Sequence, residues 1–347
     1  MENTKEQELL FKRPPIIPDI GAEKRNYDAM PSSPLINFTN HILNAMDPWM
    51  GEVRSGKNSE ILVEMSEVAE DRRIYQYKSG ENTITVQMDN ISKFSQGKGL
   101  RKFFVFYMIQ CNKSGFPPVV RFSLQSMVDA GIYNSIQAAR RGVKDSIPKL
   151  ISMSYQGEVK KGSRLIREVS GVFVYKYVIE NNIVSIYRDP DINISFLAQY
   201  FTIFPKFAFR LKSNAFSLVE YIFYLARQNI NSIKKNGTFT IGIRAVHDRL
   251  NLKSEHETTK HTQLIIKPIL AAIKEIEDGD PLHSISIKPV YDATGGITEF
   301  LNGYLEIKLS AEFNSYFCSI SASSEKILKQ IEEREEKSRQ QAELPGR

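Results

Sequence analysis

Two stretches of this chain set arginine, lysine and glutamine at helical spacing, a combination suited to a nucleic-acid duplex. Between residues 134 and 154, Gln137, Arg141, Lys144 and Lys149 fall on one side of a helical wheel, with Arg140 at its edge. The opposite side carries Ile136, Val143, Ile147 and Leu150. Between residues 255 and 277, Lys260, Gln263, Lys267 and Lys274 form a basic stripe opposite Ile265, Ile269, Ala272 and Ile276. Guanidinium and amide groups can each make two hydrogen bonds to a base edge, whereas ammonium groups take phosphates. The apolar side would hold each helix to its domain. Ser135, or Asn134 beside it, suits the N-cap of the first helix, and Ser135 also stands near enough to contact DNA. Pro148 and Pro268 should each kink its helix or mark a junction between two segments. His261 falls near the core edge and reads as structural. A third basic group, Lys160, Lys161, Arg164 and Arg167, lies in the stretch EVKKGSRLIRE, which reads as a loop. Such a loop is either a wing touching the backbone or minor groove, or a solvated basic loop.

Other chemistry fails on spacing. Gly51–Asn58 (GEVRSGKN) approaches a phosphate-binding loop, but Asn58 stands where a Ser or Thr must hold magnesium. His256, Glu257 and His261 are one residue too widely spaced for the zinc-protease helix. The five histidines include no close pair flanking one apolar residue, so the metal site of rolling-circle nicking enzymes is missing. No nucleophile, base and orienting group can be picked out. The expectation is a protein that is not an enzyme and takes no cofactor or metal. Cys111 and Cys318 do not make a disulfide framework, and Cys111 reads as an inert core thiol.

The basic helices sit in a pattern that occurs twice. An aromatic-rich helix (Lys102–Asn112) is followed by Val120–Ala130, a basic helix and a strand pair ending at Tyr187. The same order returns with Ala215–Asn229, Thr238–Leu250, Glu255–Glu277 and a strand pair ending at Leu309. Three helices and a hairpin, with a basic third helix, are the layout of a winged helix, whose third helix enters the major groove. Charge is divided unevenly along the chain. Residues 97–188 carry 15 Lys/Arg against 5 Asp/Glu, net +10, whereas 1–96 carry 11 against 15 and 189–312 carry 14 against 14. The first repeat is therefore the stronger attractor of a polyanion. In the second repeat the wing would lie near Asp292–Gly296, an acidic and glycine-rich stretch that suits phosphate poorly.

The expected fold class is α+β: two tandem winged-helix domains in a pseudo-two-fold relation, an N-terminal extension and a charged C-terminal helix. Proline-rich residues 1–35 read as an extended or disordered arm, and 36–83 as an extension of unknown fold. This extension includes a short helix from Ile36 and strands near Arg73–Lys78 and Thr83–Gln87. The winged domains are expected at 84–188 and 194–317, and a charged helical or disordered tail at 318–347. No apolar run is long enough to span a bilayer, and the first residues, MENTKEQELLFKRPP, do not form a secretory signal. No membrane partner is expected, and the compartment reads as cytoplasmic.

Over residues 84–317 the chain resembles the tandem winged-helix replication initiators of iteron-containing plasmids. The likeness rests on Ile265–Asp278 (IIKPILAAIKEIED), on AFSLVEYIFYLARQ from Ala215 as a first helix, and on GYLEIKLSAEFNSYF from Gly303 as closing strand and helix. The resemblance implies binding of repeated origin sequences, local duplex opening, and recruitment of host helicase or other replication proteins. It maps DNA contacts onto Arg141, Lys144, Lys260, Gln263 and Lys267. The chain departs from the family in its longer N-terminal segment and in the stronger charge of its first repeat. A transcriptional or partition regulator would use the same fold, and a protein-interaction module without DNA binding is the reading from another class. Whether the chain forms a dimer stays open.

Overall fold

The computed structural model of this chain describes residues 26–32, 34–45, 61–64, 72–79, 82–89, 99–161, 164–189, 200–250, 252, 262–292, 294, 296–315 and 317–318. Helix and strand are mixed, in a run that repeats itself. The first run opens with α2 (Leu100–Lys113), which follows β1 (Tyr27–Ser32), α1 (Pro34–Ala45), β2 (Ile61–Glu64), β3 (Arg72–Ser79) and β4 (Asn82–Asp89). Phe103, Phe104, Val105, Phe106, Tyr107, Met108 and Ile109 of α2 are all buried. A helix apolar on every side belongs at the centre of a core.

From α2 the chain passes through β5 (Val119–Ser123), α3 (Leu124–Asp129) and α4 (Ile136–Ile151). Ser123 caps α3, its hydroxyl accepting from the Ser126 amide at 3.0 Å. After β6 (Met153–Lys161) and β7 (Arg164–Val172) come β8 (Lys176–Glu180) and β9 (Ile183–Tyr187). Asn181 and Asn182, with φ of 48° and 62°, join those two strands. Asparagine tolerates this left-handed geometry, which matches the twist of a tight hairpin. The strands form an antiparallel sheet in the order β5-β9-β8. Val120 pairs with Ile186 and Phe122 with Val184, and all four are buried.

The second run repeats the order after β10 (Tyr200–Pro205) and a 3₁₀ turn (Lys206–Arg210). It comprises α5 (Ser213–Gln228), α6 (Ile230–Asn236), β11 (Thr238–Gly242), α7 (Ile243–Arg249), α8 (Thr262–Gly279), β12 (Ile285–Val290), α9 (Gly296–Asn302) and β13 (Tyr304–Leu309). Its sheet order is β11-β13-β12. In both runs, therefore, the strand that leads into α3 or α7 pairs with the last strand, which takes the middle of the sheet, and α6 is an addition of the second run. The third helix expected at 255–277 is described from Thr262, so its first residues lie outside the described part. Pro148 and Pro268 lie inside α4 and α8, and neither divides its helix in two.

The first run differs by an insertion. β6 and β7 separate α4 from β8 and complete a five-stranded antiparallel sheet, β2-β3-β4-β6-β7. Tyr75, Ile84, Val86, Met88, Met153 and Tyr155 bury one face of it. This sheet corrects the boundary expected at 83/84. β3 and β4 pair from Arg72↔Asp89 to Ser79↔Asn82, so the division would cut through a hairpin.

Part of the expected N-terminal arm is also integral to the fold. β1 pairs antiparallel with β10, from Tyr27↔Pro205 to Ser32↔Tyr200, and Tyr27 and Met30 are buried. In α1, Leu35, Ile36, Ile42 and Leu43 are buried. The Tyr27 ring meets Phe313 edge-on at 4.8 Å, and Phe313 and Phe317 are both buried. The rest of the expected arm (1–25) and of the expected tail (319–347) lies outside the described residues.

The two runs share side chains across their junction. Lys102 Nζ donates to the carbonyls of Phe209 (2.8 Å) and Leu211 (2.5 Å). Phe106 meets Phe209 edge-on at 6.2 Å. Arg101 on α2 and Arg249 on α7 both pair with the Glu220 carboxylate on α5, and Asn40 of α1 donates to its other oxygen at 3.2 Å.

Candidate nucleic-acid interface

Helix α4 is positioned by its apolar side. Ala139, Val143, Ile147 and Leu150 are fully buried, and Ile136 packs against the core. Ser135 is the N-cap, its hydroxyl accepting from the Ala138 amide at 3.2 Å. Gln137, Arg141 and Lys144 project from the other side and are exposed. Arg140, half-buried, reaches across to the hairpin turn and donates to Asn182 Oδ1 at 2.8 Å. That bond ties the third helix to the β8–β9 turn.

Lys149 corrects the expectation for this face. It is only 3% exposed, and its ammonium lies 3.0 Å from Asp145 Oδ2 one turn back. The angular position is at the border of the exposed arc, and a lysine stem lying along apolar surface can be buried while its head finds a carboxylate. Lys149 is thus occupied, whereas Lys144 is presented to solvent.

Helix α8 repeats the division. Ile265, Ile269, Ala272 and Ile276 are buried, while Gln263, Lys267 and Lys274 are exposed. Lys267 donates to Gln263 Oε1 at 2.5 Å, one turn earlier. Lys260 and His261 lie outside the described residues. Leu264, 46% exposed, stands three residues before Lys267 and was not singled out by sequence. An apolar residue on a solvent-facing stripe is the available signal, since such a side chain can meet a thymine methyl. Sequence reading also missed the Arg140–Asn182 link, because it joins residues 42 apart.

Lys160, Lys161, Arg164 and Arg167 do not form a loop. They belong to the paired strands β6 and β7, with Val159↔Arg167, Lys160↔Leu165 and Lys161↔Arg164 in register. The local apolar residues Val159, Leu165 and Ile166 favour strand over loop. In the second run, the stretch expected as a wing carries an Asp292–Thr294 turn, with the Thr294 amide and hydroxyl donating to Asp292 Oδ1 at 2.9 and 2.6 Å. These bonds hold the exposed Asp292 carboxyl below its usual pKa. Helix α9 then fills the rest of the span before β13.

Among the described residues no group of three or more His, Cys, Asp or Glu is placed to hold a metal ion. No described helix is long and apolar enough to cross a membrane. The exposed groups on α4 and α8 are hydrogen-bond donors of the kind that phosphates and base edges accept.

No protein-family model matches the chain, and no curated protein matches it. It is similar to solved structures that include the following two. A crystal structure of RctB domains 2-3 is 8% identical with a TM-score of 0.43, over 73% of this chain and 96% of that one. A crystal structure of selenomethionine derivatives of RctB domain 2 and domain 3 is 10% identical with a TM-score of 0.44, over 78% of this chain and 98% of that one.

Proposed function

We propose that this chain is a non-enzymatic, sequence-specific double-stranded DNA-binding protein made of two tandem winged-helix domains. The observation that carries this reading is the repeated placement of a basic third helix. In each run that helix buries an isoleucine-rich side and presents glutamine and basic residues, beside a sheet whose last strand is central. Phosphate neutralisation supplies most of the affinity, and α4 and α8 supply base preference. The first domain spans α2 to β9, with the five-stranded sheet as an accessory built on its insertion. The second spans α5 to the helical turn at 311–315. The two are expected to be related by an approximate two-fold axis.

The biological role that suits this arrangement is initiation of replication of a plasmid or similar element in the cytoplasm, at repeated origin sites. This role rests on the resemblance of Ile265–Asp278 and the flanking motifs to iteron-binding initiators. Helicase recruitment and self-association belong to the same proposal. The test is selection from a random-sequence duplex pool, followed by a footprint on the recovered DNA and on DNA beside the gene. Enrichment of one motif that recurs as direct repeats near an AT-rich stretch is expected. A single palindrome overlapping a promoter would replace the initiator with a regulator. No enrichment at low salt would end the DNA-binding reading.

A further inference from the structure

The five-stranded sheet is uneven at one end. β4 and β6 stay paired as far as Thr83↔Glu158. Beyond Glu158, β6 and β7 continue for three more pairs, Val159↔Arg167, Lys160↔Leu165 and Lys161↔Arg164. Among the described residues, no third strand flanks this extension. It is a two-stranded ribbon reaching about 10 Å past the sheet at roughly 3.4 Å per residue. The register shifts between Val159 and Lys160, leaving Ile166 as an extra residue on β7. A bulge of this kind bends and twists the ribbon away from the plane of the sheet.

The composition of this extension is one-sided. Residues 159–161 and 164–167 comprise four basic residues, no acidic residue, and Val159, Leu165 and Ile166. A free two-stranded ribbon is marginally stable in water, so one carrying branched apolar residues gains from a surface to lie against. Its charge selects a polyanion. Lysine and arginine mixed with leucine and isoleucine suit a minor groove, where basic groups follow the narrow, negative channel and apolar groups press on the base edges. The extension has no asparagine or glutamine with which to read adenine in the major groove.

The attachment of the ribbon sets its reach. β6 begins at Met153, two residues after α4 ends at Ile151, and runs nine residues. Its far end is therefore about 27 Å along the strand from the C-terminal end of α4, a little under one turn of duplex.

We infer that the end of the β6–β7 ribbon is a DNA arm that lies in the minor groove outside the stretch read by α4 and α8. This inference rests on the DNA-binding reading and extends it to a third contact. The arm widens the site on one flank by a little less than one turn and binds there with preference for a narrow groove rather than for particular bases.

The experiment uses the full chain and a duplex recovered by selection from a random pool, intact or trimmed by one turn at either end. Trimming one end is expected to weaken the native chain about tenfold, through loss of a few phosphate contacts. The variant Lys160→Ala/Lys161→Ala/Arg164→Ala/Arg167→Ala should bind intact and trimmed duplexes equally, with a smaller salt slope. Leu165→Ser, which keeps the charge, serves as a second variant; it should narrow the gap between duplexes while preserving the salt slope. Distamycin, a minor-groove ligand, should abolish the advantage of the longer duplex, whereas methylation of flanking guanines at N7 should not. Native binding that ignores trimming, or a flank effect abolished by N7 methylation instead, overturns the arm and leaves the reading helices intact. Equal DNA binding by both proteins, with self-association lost from the variant in sedimentation, would assign the ribbon to a second copy and likewise overturn it. If the native chain selects no duplex, the DNA-binding reading fails first and takes the arm with it.

Discussion

Arg101 and Glu220 form a buried ion pair, Nη2 to Oε2 at 2.7 Å, that joins the first helix of one run to the first helix of the other. Arg249 meets the same carboxylate oxygen at 2.5 Å, so one acid serves two bases inside the protein. Removing the acid strands two buried guanidiniums. Glu220→Ala is expected to lower unfolding stability by about 3–5 kcal/mol, the usual cost of breaking a buried pair. Denaturant unfolding followed by circular dichroism measures it, and a loss under about 1 kcal/mol would mean that water enters the junction.

Acid should undo the same contact. Burial alone would raise the Glu220 pKa, but the Arg249 and Arg101 charges outweigh it and hold the carboxyl below its ordinary value of 4.5. A group whose folded pKa is depressed adds stability above its unfolded pKa and loses it as pH falls through the folded value. Native stability should thus decline below about pH 4.5, and Glu220→Gln should show a shallower decline over that range. Parallel acid limbs for the two proteins would remove Glu220 from the acid response.

On α4, neighbouring basic residues should part company. Arg141→Ala should cost about 1–3 kcal/mol of binding and relax preference at one base pair. Lys144→Ala should reduce the log–log salt slope by about one. Lys149→Ala should leave that slope unchanged, because its buried side chain is paired with Asp145 one turn back. Equal slopes for the Lys144 and Lys149 variants would disprove the assignment of that face.

Gly142 offers a test in which two effects oppose each other. Alanine in mid-helix normally adds about 1 kcal/mol over glycine. Here a Cβ would overlap the Tyr133 ring, which lies against Gly142. Overpacking costs about 1–3 kcal/mol, so Gly142→Ala should be neutral to destabilising by roughly 2 kcal/mol. A raised thermal midpoint would mean that Tyr133 swings aside at no cost.

Cys111 should ignore thiol reagents until the protein unfolds. Burial pushes its thiol pKa up to about 12, leaving little thiolate at neutral pH. Cys318 is only half-buried and should react first. Mass spectrometry after maleimide exposure distinguishes them, and early labelling of Cys111 would show that α2 opens in the native state.

Periodicity made the third helices legible. Val143, Ile147 and Leu150, like Ile265, Ile269 and Ile276, fall on the buried sides that a helical wheel assigns them. The β8–β9 hairpin was equally legible, because the Asn181-Asn182 turn and alternating residues are local signals. What failed was long-range pairing. Nothing near Tyr27 announces that its partner strand begins at Tyr200, and the prolines around it argued for an arm. The β6–β7 ribbon read as a loop because lysines and a Gly-Ser pair dominated its middle, masking the flanking apolar residues. Lys149 was assigned to the exposed side because it falls at the border of that arc, where the angle alone cannot distinguish an exposed ammonium from a buried stem.

The pairing of β1 with β10 has a consequence for how the chain is made. Tyr27 sits opposite Pro205, and Asn40 bonds Glu220 across 180 residues. A ribosome adding about 5–20 residues per second releases the N-terminal strand roughly ten to forty seconds before its partner exists. Through that interval Tyr27, Met30, Ile42 and Leu43 have no finished core to enter. This early-made segment therefore completes its packing late, and a nascent chain stalled before β10 should present its unpaired apolar strand to chaperones.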